Sequence, residues 1–450
     1  MKLFKLAGSV AVLTALLASQ DAGAREPQHT DGGNAVTRWS AVAIQVLPVD
    51  PGMVVDSRAF AILHAAIHDA VNGVDRRYQP YTAELSSPGA SVDAAIAAAS
   101  HDVLVALSPS QRPTIEVAYA SALLAVPDGA AREAGIALGQ LSAKANLERR
   151  AGDGADAAMS PAYVPKHTPG DYDFTPPFDQ PPFGPAALFT GWGRVTPFGT
   201  SLNLQSLRGP DALSSAEYAR DFNLLKSLGS IDSKTRSREQ TDIALFWFEF
   251  SPMGWNRIAN TLVRQQKLDV WRSARVLALV NFALADGFVA GFEAKYRYRF
   301  WRPITAIRNA ESDGNDATSP DKTWLPFEAP GFFTPPVPDY PSTHTVLGAA
   351  AAEVLIRNFG DAVRFNVVST TLPGAVREFA NISDAAHENG QSRVFGGIHF
   401  LHAVQDGCKL GKGIGESVAQ MLPPVDVDAN LATEGFAPRR DKLCGPGLRL

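Results

Sequence analysis

Three short polar stretches in the C-terminal third hold residue types suited to gripping and attacking an oxyanion. The first runs Lys295-Tyr-Arg-Tyr-Arg-Phe-Trp-Arg302-Pro303. The second is Tyr340-Pro341-Ser342-Thr343-His344, and the third Ser392-Arg393-Val-Phe-Gly396-Gly397-Ile-His399. In helical form Lys295 and Arg302, seven residues apart, share a face and can reach one anion from two directions. Lysine brings a point charge and arginine a planar, bidentate donor. Pro303 would then stop the helix. A Pro-Ser-x-His turn opening a helix offers free backbone N–H groups and a hydroxyl to an anion. His344 would sit in the first turn, with an ordinary pKa near 6.5 that suits it to proton transfer. Arg393 and His399 are six residues apart and would not share a face of one unbroken helix. Gly396 and Gly397 predict a loop that turns both side chains to one place. There Arg393 would be a third cation and His399 a nucleophile or ligand.

Each stretch also has a plainer reading. The basic run can be a solvated helix end, Ser342 a simple N-cap, and the histidines satisfied core or capping groups. His64 and His68, four apart with Asp69 beside the second, could share a metal. They lack the Glu of the zincin pattern and an obvious third ligand, so core-facing or capping roles are expected.

The elements that must position these residues read as helices. Apolar spacing predicts helices over 57–72, 91–107, 114–124 and 129–150. Residues 159–200 are rich in proline, glycine and aromatics, with Pro176-Pro177 and Pro181-Pro182. Those prolines exclude a long helix, and the aromatics predict an ordered wrapping segment. Further helices are expected over 214–228, 237–250, 255–266, 269–298, 342–359, 375–390 and 399–422. No β-rich region or internal repeat is evident. The fold expected is all-α, with two helical bundles and the wrapping segment between them. Its divisions are 38–199 for the first bundle with the wrapping segment, and 200–450 for the second, which carries the oxyanion site.

The chain has 450 residues, 45% hydrophobic and 19% charged, with a net charge of −5. That suits a compact fold with a sizeable core. It argues against a general nucleic-acid binder, which needs a basic face. Residues 1–24 read as a signal peptide: Lys2 and Lys5, an apolar run from Leu6 to Ala18, then Ala22-Gly23-Ala24. The run is short for a span of about 20 residues. Cleavage would leave a disordered tail over 25–37 and an exported chain, periplasmic or secreted, with no membrane span. Cys408 and Cys444 are an even pair, which in an exported protein suggests one disulfide.

Taken in order, Lys-x6-Arg-Pro, Pro-Ser-x-His and Ser-Arg-x5-His resemble the signature of the type 2 phosphatidic acid phosphatase and vanadium-dependent haloperoxidase superfamily. Lys295, Arg302, Pro303, Pro341, Ser342, His344, Ser392, Arg393 and His399 carry the resemblance. The Ala-Ile-His-Asp-Ala-Val-Asn stretch at 66–72 and Trp192-Gly-Arg-Val-Thr-Pro-Phe198 are similar to the soluble bacterial haloperoxidase branch. The resemblance implies vanadate as cofactor, with His399 as its vanadium ligand. Lys295, Arg302, Ser342, Thr343 and Arg393 would bind its oxygens, and His344, Lys295 and His399 would be catalytic. It implies hydrogen peroxide and halide as substrates and hypohalous acid as product. A small organic halogen acceptor and a homodimer are compatible with it. The same site could run an exported acid phosphatase through a phosphohistidine, or bind oxyanions without catalysis. Two positions depart from the family pattern. Thr343 stands where a glycine is usual, and Ala403 where an aspartate often follows the histidine by four residues. Asp406 is a candidate substitute, Glu249 a candidate partner for His344, and Phe292 and Val337 candidates for the halide pocket.

Overall fold

The computed structural model describes residues 33–47, 53–82, 84–158, 162–199, 207–327, 333–425 and 443–444. The proposed signal peptide and most of the proposed tail lie outside them. Ordered structure begins before Trp39, because Asn34 caps helix α1 (Ala35–Val46) by accepting from the Val36 and Thr37 N–H groups. Then come α2 (Met53–Val74), α3 (Val92–Leu107), α4 (Arg112–Leu124) and α5 (Ala130–Arg150). Among these α2, α3 and α5 pack on one another. The C-terminal part holds α6 (Ala216–Leu228), α7 (Arg238–Phe246), α8 (Ser251–Gln265), α9 (Val270–Tyr298), α10 (Pro303–Arg308), α11 (Thr343–Phe359), α12 (Ile382–Phe395) and α13 (Leu401–Val418).

Helix α9 is the axis. It packs on α2 on one side and on α11 and α13 on the other. By length and composition it could cross a bilayer, which corrects the expectation that no later stretch could. Yet 94% of its most apolar window is buried inside the fold. Its apolar surface is therefore satisfied by protein.

Two expectations change at element ends. The helix predicted over 375–390 is partly a hairpin, β1 (Phe365–Val368) antiparallel to β2 (Val376–Phe379), and α12 starts at Ile382. The alternation at β1 buries Phe365 and Val367 and exposes the residues between, which is strand rather than helix periodicity. Nor does Pro303 stop α9. That helix ends at Tyr298, with Arg299 left-handed at φ 53°, and Pro303 occupies the first turn of α10. Proline is tolerated there because its missing N–H would have no helical partner.

The wrapping segment is ordered, with Tyr172, Trp192 and Phe198 buried. Asp286 of α9 accepts the Phe198 and Gly199 N–H groups at 2.6 and 2.7 Å, and Tyr172 N–H donates to the Arg299 carbonyl at 2.6 Å.

Small residues set the spacing near the site. Gly407, Gly411 and Gly415 form a stripe along α13 against Ser342, Val346 and Ala350. A Cβ at Gly411 would fall 2.1 Å from the Val346 carbonyl oxygen. The stripe lets α13 lie directly on α11, so the residues leading into α13 reach the start of α11. Between α12 and α13, Gly397 is left-handed at φ 76°, and its Cβ would lie 2.2 Å from the Gly229 carbonyl oxygen.

Cys408 and Cys444 form a disulfide across a sequence separation of 36. Loop-closure entropy of that size predicts that Cys444→Ser lowers unfolding free energy by about 2–4 kcal/mol, read from denaturant melts with and without reductant. Gly397→Ala should cost more than about 1 kcal/mol, since it meets both a left-handed backbone and a neighbouring carbonyl. The same melts measure it.

Candidate functional site

The three polar stretches meet where the end of α9, the start of α11 and the α12–α13 corner converge. Lys295 lies in the last turn of α9 and is buried. Its Nζ donates to the carbonyls of Pro338, Asp339 and Pro341 at 2.7, 2.9 and 2.8 Å. All three ammonium hydrogens are thereby used. Arg302 lies beyond the helix, not on a shared face with Lys295. It is 1% exposed, and donates from Nε to the Val337 carbonyl and from Nη1 to the Ile398 carbonyl, both at 2.7 Å. The same Nη1 is 3.2 Å from His399 Nε2.

Ser342 is the N-cap residue of α11, but its side chain makes no capping bond. Its Oγ accepts from Thr345 Oγ1 at 3.0 Å, and its N–H donates to the Ala403 carbonyl at 2.9 Å. The plain N-cap reading therefore fails, and the first-turn N–H groups of α11 are left without a side-chain cap. Thr343 Oγ1 is buried without a partner. His344 is half-buried, with Nδ1 3.0 Å from Ser251 Oγ and Nε2 unpartnered. Burial and then the Arg393 guanidinium hold its imidazole well below the usual range, partly opposed by the Trp247 backbone.

Arg393 ends α12, and donates to Ser392 Oγ at 2.9 Å and to the Trp247 carbonyl at 2.8 Å. Burial pushes it down to about 9, so it stays charged at neutral pH. Gly396 and Gly397 make the expected corner, and His399 follows it, 4% exposed. Burial first, then Arg302, Lys295, Arg393 and His344, hold the His399 imidazole well below its usual range. All the sequence-selected site residues except Ser342 and Thr343 thus carry or feel charge within one cluster.

Other expectations are corrected. Glu249 does not pair with His344; it takes Arg257 Nη2 and the Thr370 N–H and hydroxyl. Asp406 does not reach His399; it accepts from the Tyr340 hydroxyl at 2.7 Å and from Lys409 and Arg208. His402 is held by Asp221, Nδ1 to Oδ2 at 2.7 Å. His68 contacts Asp69 and Asn72, His64 is buried without a partner, and no metal-holding cluster occurs among the described residues. Val337 contributes its carbonyl to Arg302, whereas Phe292 is buried against Phe189 and Phe288. The residue that sequence reasoning missed is Asp339. It is fully buried, with Oδ1 2.9 Å from His399 Nδ1 and 3.9 Å from Arg302 Nη1. Burial pushes its carboxyl up to about 7 against the pull of Arg302 and Lys295. Its place just before Tyr340-Pro341-Ser342 was the available signal.

Chemically, three buried cations, an uncapped helix N-terminus, a free hydroxyl and two imidazoles suit a compact, multiply charged oxyanion.

Comparison with known proteins agrees with that chemistry. Residues 275–424 match the model of the second helical-bundle domain of vanadium chloroperoxidase. Vanadium chloroperoxidase of Curvularia inaequalis is 26% identical over 73% of this chain and 66% of its own length, so the match spans just under two thirds of that relative. Among solved structures, a bacterial vanadium-dependent iodoperoxidase superposes with TM-score 0.72 at 23% identity, covering 88% of this chain and 96% of the other. A bacterial vanadium-dependent chloroperoxidase gives TM-score 0.67 at 17% identity, covering 88% and 98%. The chain thus shares its fold with these solved structures, and its C-terminal part is similar to the second helical-bundle domain of vanadium chloroperoxidase.

Proposed function

We propose that this protein is a vanadate-dependent haloperoxidase, oxidising halide with hydrogen peroxide to hypohalous acid. The observation that carries the reading is the buried cluster of Lys295, Arg302 and Arg393 around His399, beside the uncapped first turn of α11. The residues fit vanadate. The orphaned Thr343 Oγ1 and His344 Nε2 are polar atoms awaiting a partner. The three cations would balance the oxygens of the anion, and Thr343 would donate from its hydroxyl and backbone. His399 Nε2 would be the protein ligand to vanadium. Bound there, vanadate supplies a V(V) Lewis acid that activates peroxide toward halide without changing oxidation state.

The protein's part is preorganisation and proton handling. Donors fixed before the reaction stabilise developing charge without reorganising. Burial and then Arg302 pull Lys295 well below its usual range, with Asp339 opposing, and three carbonyls accept its hydrogens and fix its position. In the tautomer where His344 donates Nδ1–H to Ser251 Oγ, Nε2 keeps a lone pair. That atom can take the proton hydrogen peroxide must lose on binding. A disulfide in the described fold supports export to an oxidising compartment, periplasmic or extracellular.

Purified protein given vanadate, peroxide and iodide, bromide or chloride should halogenate a trapping dye, and His399→Ala should abolish turnover. No vanadate-dependent halogenation with any halide would refute the proposal. Phosphoester hydrolysis by vanadate-free protein, inhibited by vanadate, would favour a phosphatase instead. A second prediction concerns pH. kcat/KM should show one limb near pH 7, where the buried Asp339 carboxyl protonates, and, because burial keeps His344 neutral, a separate acid limb below pH 6.5 where the His344 ring takes up a proton. His344→Ala should remove that acid limb and lower kcat about a hundred- to ten-thousand-fold.

A further inference from the structure

We propose that Asp339 is the positioning residue for His399, fixing its proton on Nδ1 and keeping the lone pair on Nε2, where Arg302 now donates and where the oxyanion centre would displace that donor. The proposal deepens the oxyanion reading of the site and rests on it for the role of Nε2.

Two observations select the tautomer independently. Arginine has no acceptor, so Arg302 Nη1, 3.2 Å from His399 Nε2, can only donate toward it. Nε2 must then carry the lone pair, and the neutral ring's proton sits on Nδ1. Facing Nδ1 at 2.9 Å is Asp339 Oδ1, which can only accept when ionised. The contact lies off the line of a formed hydrogen bond, and both Asp339 oxygens are buried without one. Such bonds are often long or poorly aligned before a site is filled.

The other carboxylates nearby are committed elsewhere. The position four residues after His399 is Ala403, whose carbonyl receives the Ser342 N–H at 2.9 Å. Asp406 is held by Tyr340, Lys409 and Arg208, and Asp221 by His402. The carboxylate for His399 therefore comes from the segment before Pro341 instead of from α13. Its backbone is pinned: Asp339 N–H donates to the Phe300 carbonyl at 2.8 Å and its carbonyl accepts from Lys295 at 2.9 Å. A carboxylate behind a ligating imidazole orients the ring and raises its basicity.

The competing role is charge balance for Lys295 and Arg302 alone. Imidazole 15N NMR of the full chain without vanadate separates the two, with His399 signals assigned by their loss in His399→Gln. Orthovanadate titration followed by 51V NMR gives affinity. Wild type should show the Nδ1–H tautomer. Asp339→Ala should shift His399 toward a tautomer mixture and weaken vanadate binding about 10- to 100-fold. Asp339→Asn, which keeps the shape and an acceptor oxygen, should fall between and serves if the alanine variant does not fold. Wild-type tautomer in both variants would overturn the proposal, whatever happens to affinity. If wild type binds no vanadate, the oxyanion reading fails, while the tautomer shift still decides the role of Asp339.

Discussion

Lys295, Arg302 and Arg393 are between 1% and 4% exposed, and the carboxylate that approaches them is Asp339. Removing a charge from water costs several kcal/mol even after a protein relaxes around it. A fold that buries three like charges together must supply acceptors, and most of those here are backbone carbonyls. Lys295 has three, Arg302 two and Arg393 one. Hydrogen bonds to charged groups stabilise by about 1.5–3 kcal/mol each. Carbonyl dipoles satisfy the donors but do not cancel the charge. The cluster is solvated by protein, and burial pushes all three basic groups below their usual ranges.

Four of those carbonyls come from the strap 337–341. Pro338 and Pro341 have no N–H, so the strap cannot join a helix or a sheet ladder and its carbonyls have no regular partners. Turned inward they meet Lys295 and Arg302. Tyr340 holds the strap from the other side, with its hydroxyl on Asp406 and its ring stacked on His402 at 5.8 Å. Asp221 in turn fixes His402. The buried polar groups around Tyr340 therefore support the site from behind. The glycine stripe of α13 does the same for Ser342 by drawing the two helices together.

The residue types of the site and their order were legible in the sequence, because lysine, arginine and histidine inside apolar stretches have few other reasons to be there. So were the long helices, whose periodicity is local. What the sequence hid was partnership across distance. Glu249 and Asp406 looked suitable by spacing, yet Arg257 and Tyr340, brought in by other elements, claim them. Asp339 lies between prolines outside the expected helices, and only the folded chain shows that it faces His399. The helix break at Arg299 was missed for a related reason. Lys295 and Arg302 were expected to share a helical face, but a left-handed turn lets the chain double back, with Tyr172 bonded to the Arg299 carbonyl. The hairpin at 365–379 is short, and its alternation is too brief to outweigh helix signals on either side.

The two site histidines end up in different circumstances, and the difference follows from their neighbours. His399 stands on a glycine-built corner between an arginine at Nε2 and an aspartate at Nδ1, and it is buried. Both contacts restrict its ring. His344 is half-buried in the first turn of α11, with one hydroxyl at Nδ1 and nothing at Nε2. A serine can donate or accept, so it permits either tautomer. Burial first and then the neighbouring cations depress both imidazoles, and a carboxylate faces the ring at His399. Two identical side chains in one buried, positive setting thus differ in what stands behind each ring.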